Sequence, residues 1–123
     1  MNSHTPSFPF FAPTERRPLS LEESSIVARL LSGAAPELLS QLEHLAVVGR
    51  CGCGECPTVF FQPHQVGDRE QDICQAIGPD ETGGLVGAVL MEKAGLISQL
   101  EFYSVDGHSP WQAPLAESLE VQS

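Results

Sequence analysis

Basic side chains are scarce in this chain. Six Lys and Arg stand against sixteen Asp and Glu, a formal net charge of −10 at neutral pH. Six scattered cations cannot build the positive surface that binding to a phosphate backbone requires, so nucleic acid is excluded as a partner. Long apolar runs are missing too, and nothing approaches the ~20 residues of a membrane helix. The opening residues lack the basic segment followed by an apolar stretch that marks a secretory signal, which predicts a cytoplasmic protein. Aromatics make up 7%, with Trp111 as the single tryptophan. No Gly-rich phosphate loop is present, since Gly83-Gly84 and Gly87 precede or interrupt an apolar run instead of opening a helix.

What is present is concentrated at Arg50-Cys51-Gly52-Cys53-Gly54-Glu55-Cys56-Pro57, which holds three of the four cysteines. In a chain without an export signal such cysteines are reduced thiols or metal ligands rather than disulfides. The corner lies between two apolar runs, Leu45–Val48 and Thr58–Phe61, whose β-branched and aromatic residues suit strands.

The 123 residues suit one domain. Residues 1–18, with Pro6, Pro9, Pro13 and Pro18 among Phe8, Phe10 and Phe11, read as a flexible tail, because proline lacks the N–H that a helix or sheet ladder uses. The folded domain is expected over 19–120. Ser20-Leu21-Glu22-Glu23 spells a capping box, and Ile26, Val27, Leu30 and Leu31 follow at helical spacing, predicting a helix over 20–32. Pro36 opens a second helix over 36–44, with Leu38, Leu42 and Leu45 as its stripe. Strands are expected near 45–50, 57–62, 85–92 and 95–104, the last with Leu100 and Phe102 on one face and Gln99, Glu101 and Tyr103 on the other. The polar stretch 62–84 reads as a connection with one helical turn around Asp72–Ala76. The expected fold class is therefore α+β: an N-terminal helical hairpin packed on a four-stranded antiparallel sheet.

Three chemistries compete for the cysteine corner. A zinc ion needs four deprotonated ligands, and Cys51, Cys53 and Cys56 supply three, with Cys74, His64 or His44 as the fourth. A redox pair at Cys53 and Cys56 is disfavoured by the strand-like Thr-Val-Phe-Phe that follows, because reactive pairs sit at helix N-termini. Packed, unreactive thiols are the simplest reading, since free cysteine behaves as a small hydrophobe. Elsewhere, Asp106 and His108 near Trp111 are close enough for a site, though a polar turn explains them better. No nucleophile–base arrangement is legible, which argues against an enzyme.

The order of these features resembles a family of small bacterial proteins that carry a Gly-Arg-Cys-Gly-Cys-Gly motif and have no established activity. The matching pieces are Arg17-Pro18-Leu19-Ser20, Gly49–Gly54 before Cys56-Pro57-Thr58, Gly95–Tyr103 and Pro114–Glu120. Against that family's pattern Glu55 reads as an insertion before the third cysteine. The resemblance implies one compact domain over roughly residues 17–121. The leading functional expectation is a non-enzymatic domain that binds another protein or a second copy of itself, through its acidic surface and Pro/Phe tail. The alternative is a small domain with a structural zinc.

Overall fold

In a computed structural model, which describes residues 11–65 and 67–122, the chain is mostly β. Seven antiparallel strands form one sheet: β1 (Phe11–Pro18), β2 (Ala46–Cys51), β3 (Val59–Phe60), β4 (Gln71–Pro79), β5 (Leu85–Lys93), β6 (Leu96–Ser104) and β7 (Glu120–Gln122). Their order is β1-β2-β3-β6-β5-β4-β7. Among the described residues there are two α-helices, α1 (Leu21–Leu30) and the single turn α2 (Pro36–Leu39), with 3-10 turns at Leu42–His44 and Ala116–Ser118. The expected α+β architecture, a helical hairpin on four strands, is thus corrected to a seven-stranded sheet with two short helices. No helix among the described residues is long and apolar enough to cross a membrane.

The first helix forms as its sequence dictates. Ser20 Oγ accepts from the Glu23 N–H (3.0 Å), and Glu23 Oε1 accepts from the Ser20 N–H (2.8 Å). The Arg17 guanidinium grips both Glu23 oxygens at 2.8 and 2.9 Å. Ile26, Val27 and Leu30 then bury one stripe, and the following Leu31 is buried with them. The second helix stops after four residues because its continuation is captured by the sheet. Ser40 Oγ donates to the Glu37 carbonyl. Gln41 accepts from the Ile97 N–H (2.8 Å) and donates to the Gly95 carbonyl (3.0 Å), so the chain leaves the helical path to meet the β5–β6 hairpin.

The strand pattern from Leu85 onward is close to that expected. Val86–Leu90 are all buried, and Leu100 and Phe102 sit opposite Leu90 and Ala88 on the face that packs against α1. Gln99 and Phe60 lie on the other face; the segment after β3 crosses there, with Gln99 donating to Glu70 at 2.6 Å and Lys93 donating to the Pro63 carbonyl and to Asp68.

Residues 11–18, expected as tail, form β1, the edge strand beside β2; residues 1–10 lie outside the described residues. Pro13 and Pro18 are tolerated because an edge strand leaves half its N–H positions unused. The register shifts between Pro13 and Arg17. Phe11 stacks edge-on against Phe60, centroids 5.2 Å apart, and lies over Gly49, where any Cβ would strike its ring. Removing residues 1–18 therefore uncovers Phe60, frees the β2 edge and deletes the Arg17–Glu23 pair. The expected result is a thermal midpoint lower by roughly 5 °C or more. An unchanged midpoint in calorimetry would show that β1 adds no stability.

Candidate metal centre

The cysteine corner is the connection between β2 and β3. It closes where the Cys51 N–H donates to the Thr58 carbonyl (3.3 Å) and the Gly54 N–H to the Cys51 carbonyl (3.3 Å). Gly54 has φ +77°, a left-handed turn that glycine adopts without strain. Both ends are fixed to the sheet. Cys51 pairs with Phe11 on β1, and buried Thr58 accepts through Oγ1 from the Phe102 N–H (3.0 Å).

This turn brings the sulfurs of Cys51, Cys53 and Cys56 within 4.8 Å of one another, with Cys53 and Cys56 3.5 Å apart. Bonds of about 2.3 Å to one tetrahedral zinc place two sulfurs about 3.8 Å apart, so the spacing fits an ion with little movement. The thiols are not uniformly packed: Cys51 is buried, Cys56 half-buried and Cys53 exposed. Packing as a small hydrophobe therefore explains Cys51 alone.

Electrostatics separate the three. Burial pushes the Cys51 thiol up to about 12, with the neighbouring Cys53 and Cys56 thiols adding to the rise. Burial acts in the same direction on Cys53, but it is outweighed there. The N–H groups of Cys56 (3.3 Å) and Glu55 (3.4 Å) point at its sulfur, and hydrogen bonds from the other two thiols help, bringing it down to about 7. Two inward N–H groups are the kind of outer support that metal-bound thiolates use.

The proposed fourth ligands are elsewhere. Cys74 lies on β4, with β3, β6 and β5 between it and β2, roughly 19 Å away at ordinary strand spacing. The stretch Asp72–Ala76 is part of that strand and not a helical turn. His64 rests against the Phe60 ring, with Nδ1 3.5 Å from Glu70. His44 ends the 3-10 turn and lines a groove with Phe61 and Leu96. Among the described residues no fourth His, Cys, Asp or Glu side chain joins the three sulfurs. Beside them opens a cleft of about 490 Å³ whose walls include Glu22, Glu55, Glu81 and Trp111.

Asp106 and His108 do join a constellation, with a member that the sequence did not point to. His108 Nε2 lies 3.0 Å from Asp80 Oδ2, and Nδ1 is hydrogen-bonded to Asp106 Oδ1. Asp80 is buried and also accepts from Gln112 N–H (2.9 Å), Thr82 N–H (2.9 Å) and Thr82 Oγ1 (2.6 Å). Asp80, then Asp106, raise the His108 pKa; His108 in turn depresses Asp80 most, followed by Thr82. Ser104 Oγ is 3.3 Å from Nδ1, which superficially completes a hydrolase relay. Both ring nitrogens already face carboxylates, so neither is left free to activate a serine. The group is a clamp that pins the loop after β6 onto the β4–β5 turn.

The fold and the site together define a small mostly-β domain with a three-cysteine corner suited to a metal ion. Comparisons with family models, with curated proteins and with solved structures find no match to this chain.

Proposed function

We propose that this is a small metal-binding domain that holds a structural zinc ion on Cys51, Cys53 and Cys56. The observation that carries this reading is the convergence of three sulfurs within 4.8 Å on one turn, with two backbone N–H groups directed at Cys53. Zinc suits three thiolates and tolerates a water or carboxylate in the fourth place. Its binding would fix the β2–β3 connection, which is otherwise held by few hydrogen bonds.

Protein purified without chelator is expected to carry one equivalent of zinc. Cobalt(II) substituted at the site should give sulfur-to-metal charge-transfer absorption of a three-thiolate centre. Absence of both stoichiometric zinc and that absorption rejects the reading.

Binding to another protein stays the second reading, and the Trp111 cleft favours it. Three carboxylates beside an aromatic face suit a cationic side chain of a basic partner.

A further inference from the structure

We infer that Cys53 and Cys56 form a reactive dithiol pair that hydroperoxides convert to a disulfide, opening the three-sulfur corner. The observations are geometric. Cys53 is the exposed thiol of the three, and its sulfur already accepts N–H groups from Glu55 and Cys56, which hold negative charge as it develops there. Cys56 offers a resolving thiol 3.5 Å away, sulfur to sulfur; a disulfide needs about 2 Å, a short closure within one turn. Gly52 and Gly54 flank Cys53 in that turn, and both are exposed. Cys51 takes no part, because it is buried within β2 and shielded from a solvent-borne oxidant.

The chemistry balances with the hydroperoxide as the named oxidant. The Cys53 thiolate attacks the terminal oxygen; an S–O bond forms, the O–O bond breaks, and the alkoxide or hydroxide leaves as alcohol or water after taking a proton. Cys56 then attacks the sulfenic sulfur. The S–S bond forms, the S–O bond breaks, and hydroxide leaves as water with the proton from Cys56. Two thiols lose two electrons and one peroxide gains them. A disulfide sulfur is a poor zinc ligand, so only Cys51 remains to hold an ion, which is released. That release rests on the metal reading above; the disulfide does not.

The test treats the full chain with hydrogen peroxide in two forms, zinc-loaded and chelator-stripped. Intact mass, differential alkylation and zinc release to a chromogenic chelator are followed together. The expected result in both forms is the loss of two hydrogens within one chain, mapped to Cys53–Cys56, with one zinc released per disulfide in the loaded form. Cys56→Ser should stop at a sulfenic acid on Cys53 that a cyclic diketone traps, and Cys53→Ser should abolish the reaction. A disulfide involving Cys51, disulfides only between chains, or a Cys53 that stays reduced overturns the proposal. If the stripped protein forms the bridge but binds no zinc, the metal reading fails and the dithiol pair stands. If zinc binds and survives peroxide, the reverse holds.

Discussion

Asp80→Asn is expected to lower the thermal midpoint by several degrees and to remove most of the protein's dependence on the state of His108. Asparagine keeps one acceptor but presents an NH2 group where Oδ2 now receives His108 Nε2 and the Gln112 N–H. Two part-buried donors would then face a third at a buried side chain, and a polar group left unsatisfied there is costly. The pH profile gives the sharper test. His108 is raised, so its contribution is complete below the ordinary histidine value of about 6.5 and is lost as pH climbs through the higher folded value. Asp80 and Asp106 are lowered, Asp106 chiefly by the Leu85 N–H and then by His108. Their contribution is complete above about 4 and is lost as pH falls through their folded values. The difference in stability between wild type and Asp80→Asn should therefore be greatest between about pH 4 and 6.5, shrinking on either side. His108→Gln should show a similar but smaller loss. Parallel profiles for wild type and both variants would remove the clamp from any role in stability.

Serine at Cys51, Cys53 or Cys56 is expected to weaken zinc binding more than about a hundredfold in each case, since loss of a ligand should cost more than loss of its supporting shell. Pairs of substitutions should cost scarcely more than one, because a site missing one thiolate has little left to lose. Cys74→Ser should leave affinity unchanged, as β4 lies across the sheet. Zinc affinity should also rise with pH through the neutral range, because the ion must displace protons from Cys53, near 7, and from the more strongly held Cys51. Competition titrations against a calibrated chelator measure all of this. Additive losses, or a loss at Cys74 equal to the others, would contradict a three-thiolate centre.

Much of the site was legible because its residues are close in sequence. Cys51, Cys53 and Cys56 share one turn, so their spacing alone announced them, and Ser20 with Glu23 announced the start of α1 for the same reason. The β5–β6 hairpin was readable from the continuous apolar run Val86–Leu90 and the alternation around Leu100 and Phe102. What failed was long-range. In β1, Pro13 and Pro18 read as breakers because the sequence cannot show that a strand lies at an edge. In β4, Gln71 read as connection and Asp72–Ala76 as a helical turn, since a strand with a bulge between Asp72 and Cys74 and an exposed outer half has little apolar alternation. The second helix was over-extended at Gln41, whose partners Gly95 and Ile97 lie over fifty residues away. Asp80 belonged to a loop until the fold carried it to His108.

The brevity of β3 has a mechanical consequence. Among the described residues it couples two groups of strands, β1-β2 and β6-β5-β4-β7, through the ladder pairs Val59–Leu100 and Phe60–Gln99, flanked by the Phe61 N–H on the Ser98 carbonyl (2.8 Å) and the Phe102 N–H on Thr58 Oγ1 (3.0 Å). Strands β4 to β6 close over short connections and can zip early, whereas joining β3 to β6 must close a loop of about forty residues, a slower step. Because β1 and β7 are opposite edges, tension across the sheet would open it first along this short seam. The cysteine turn is the segment that enters the seam. An ion bound there would act as a rivet, tying the end of β2 to the chain that leads into β3.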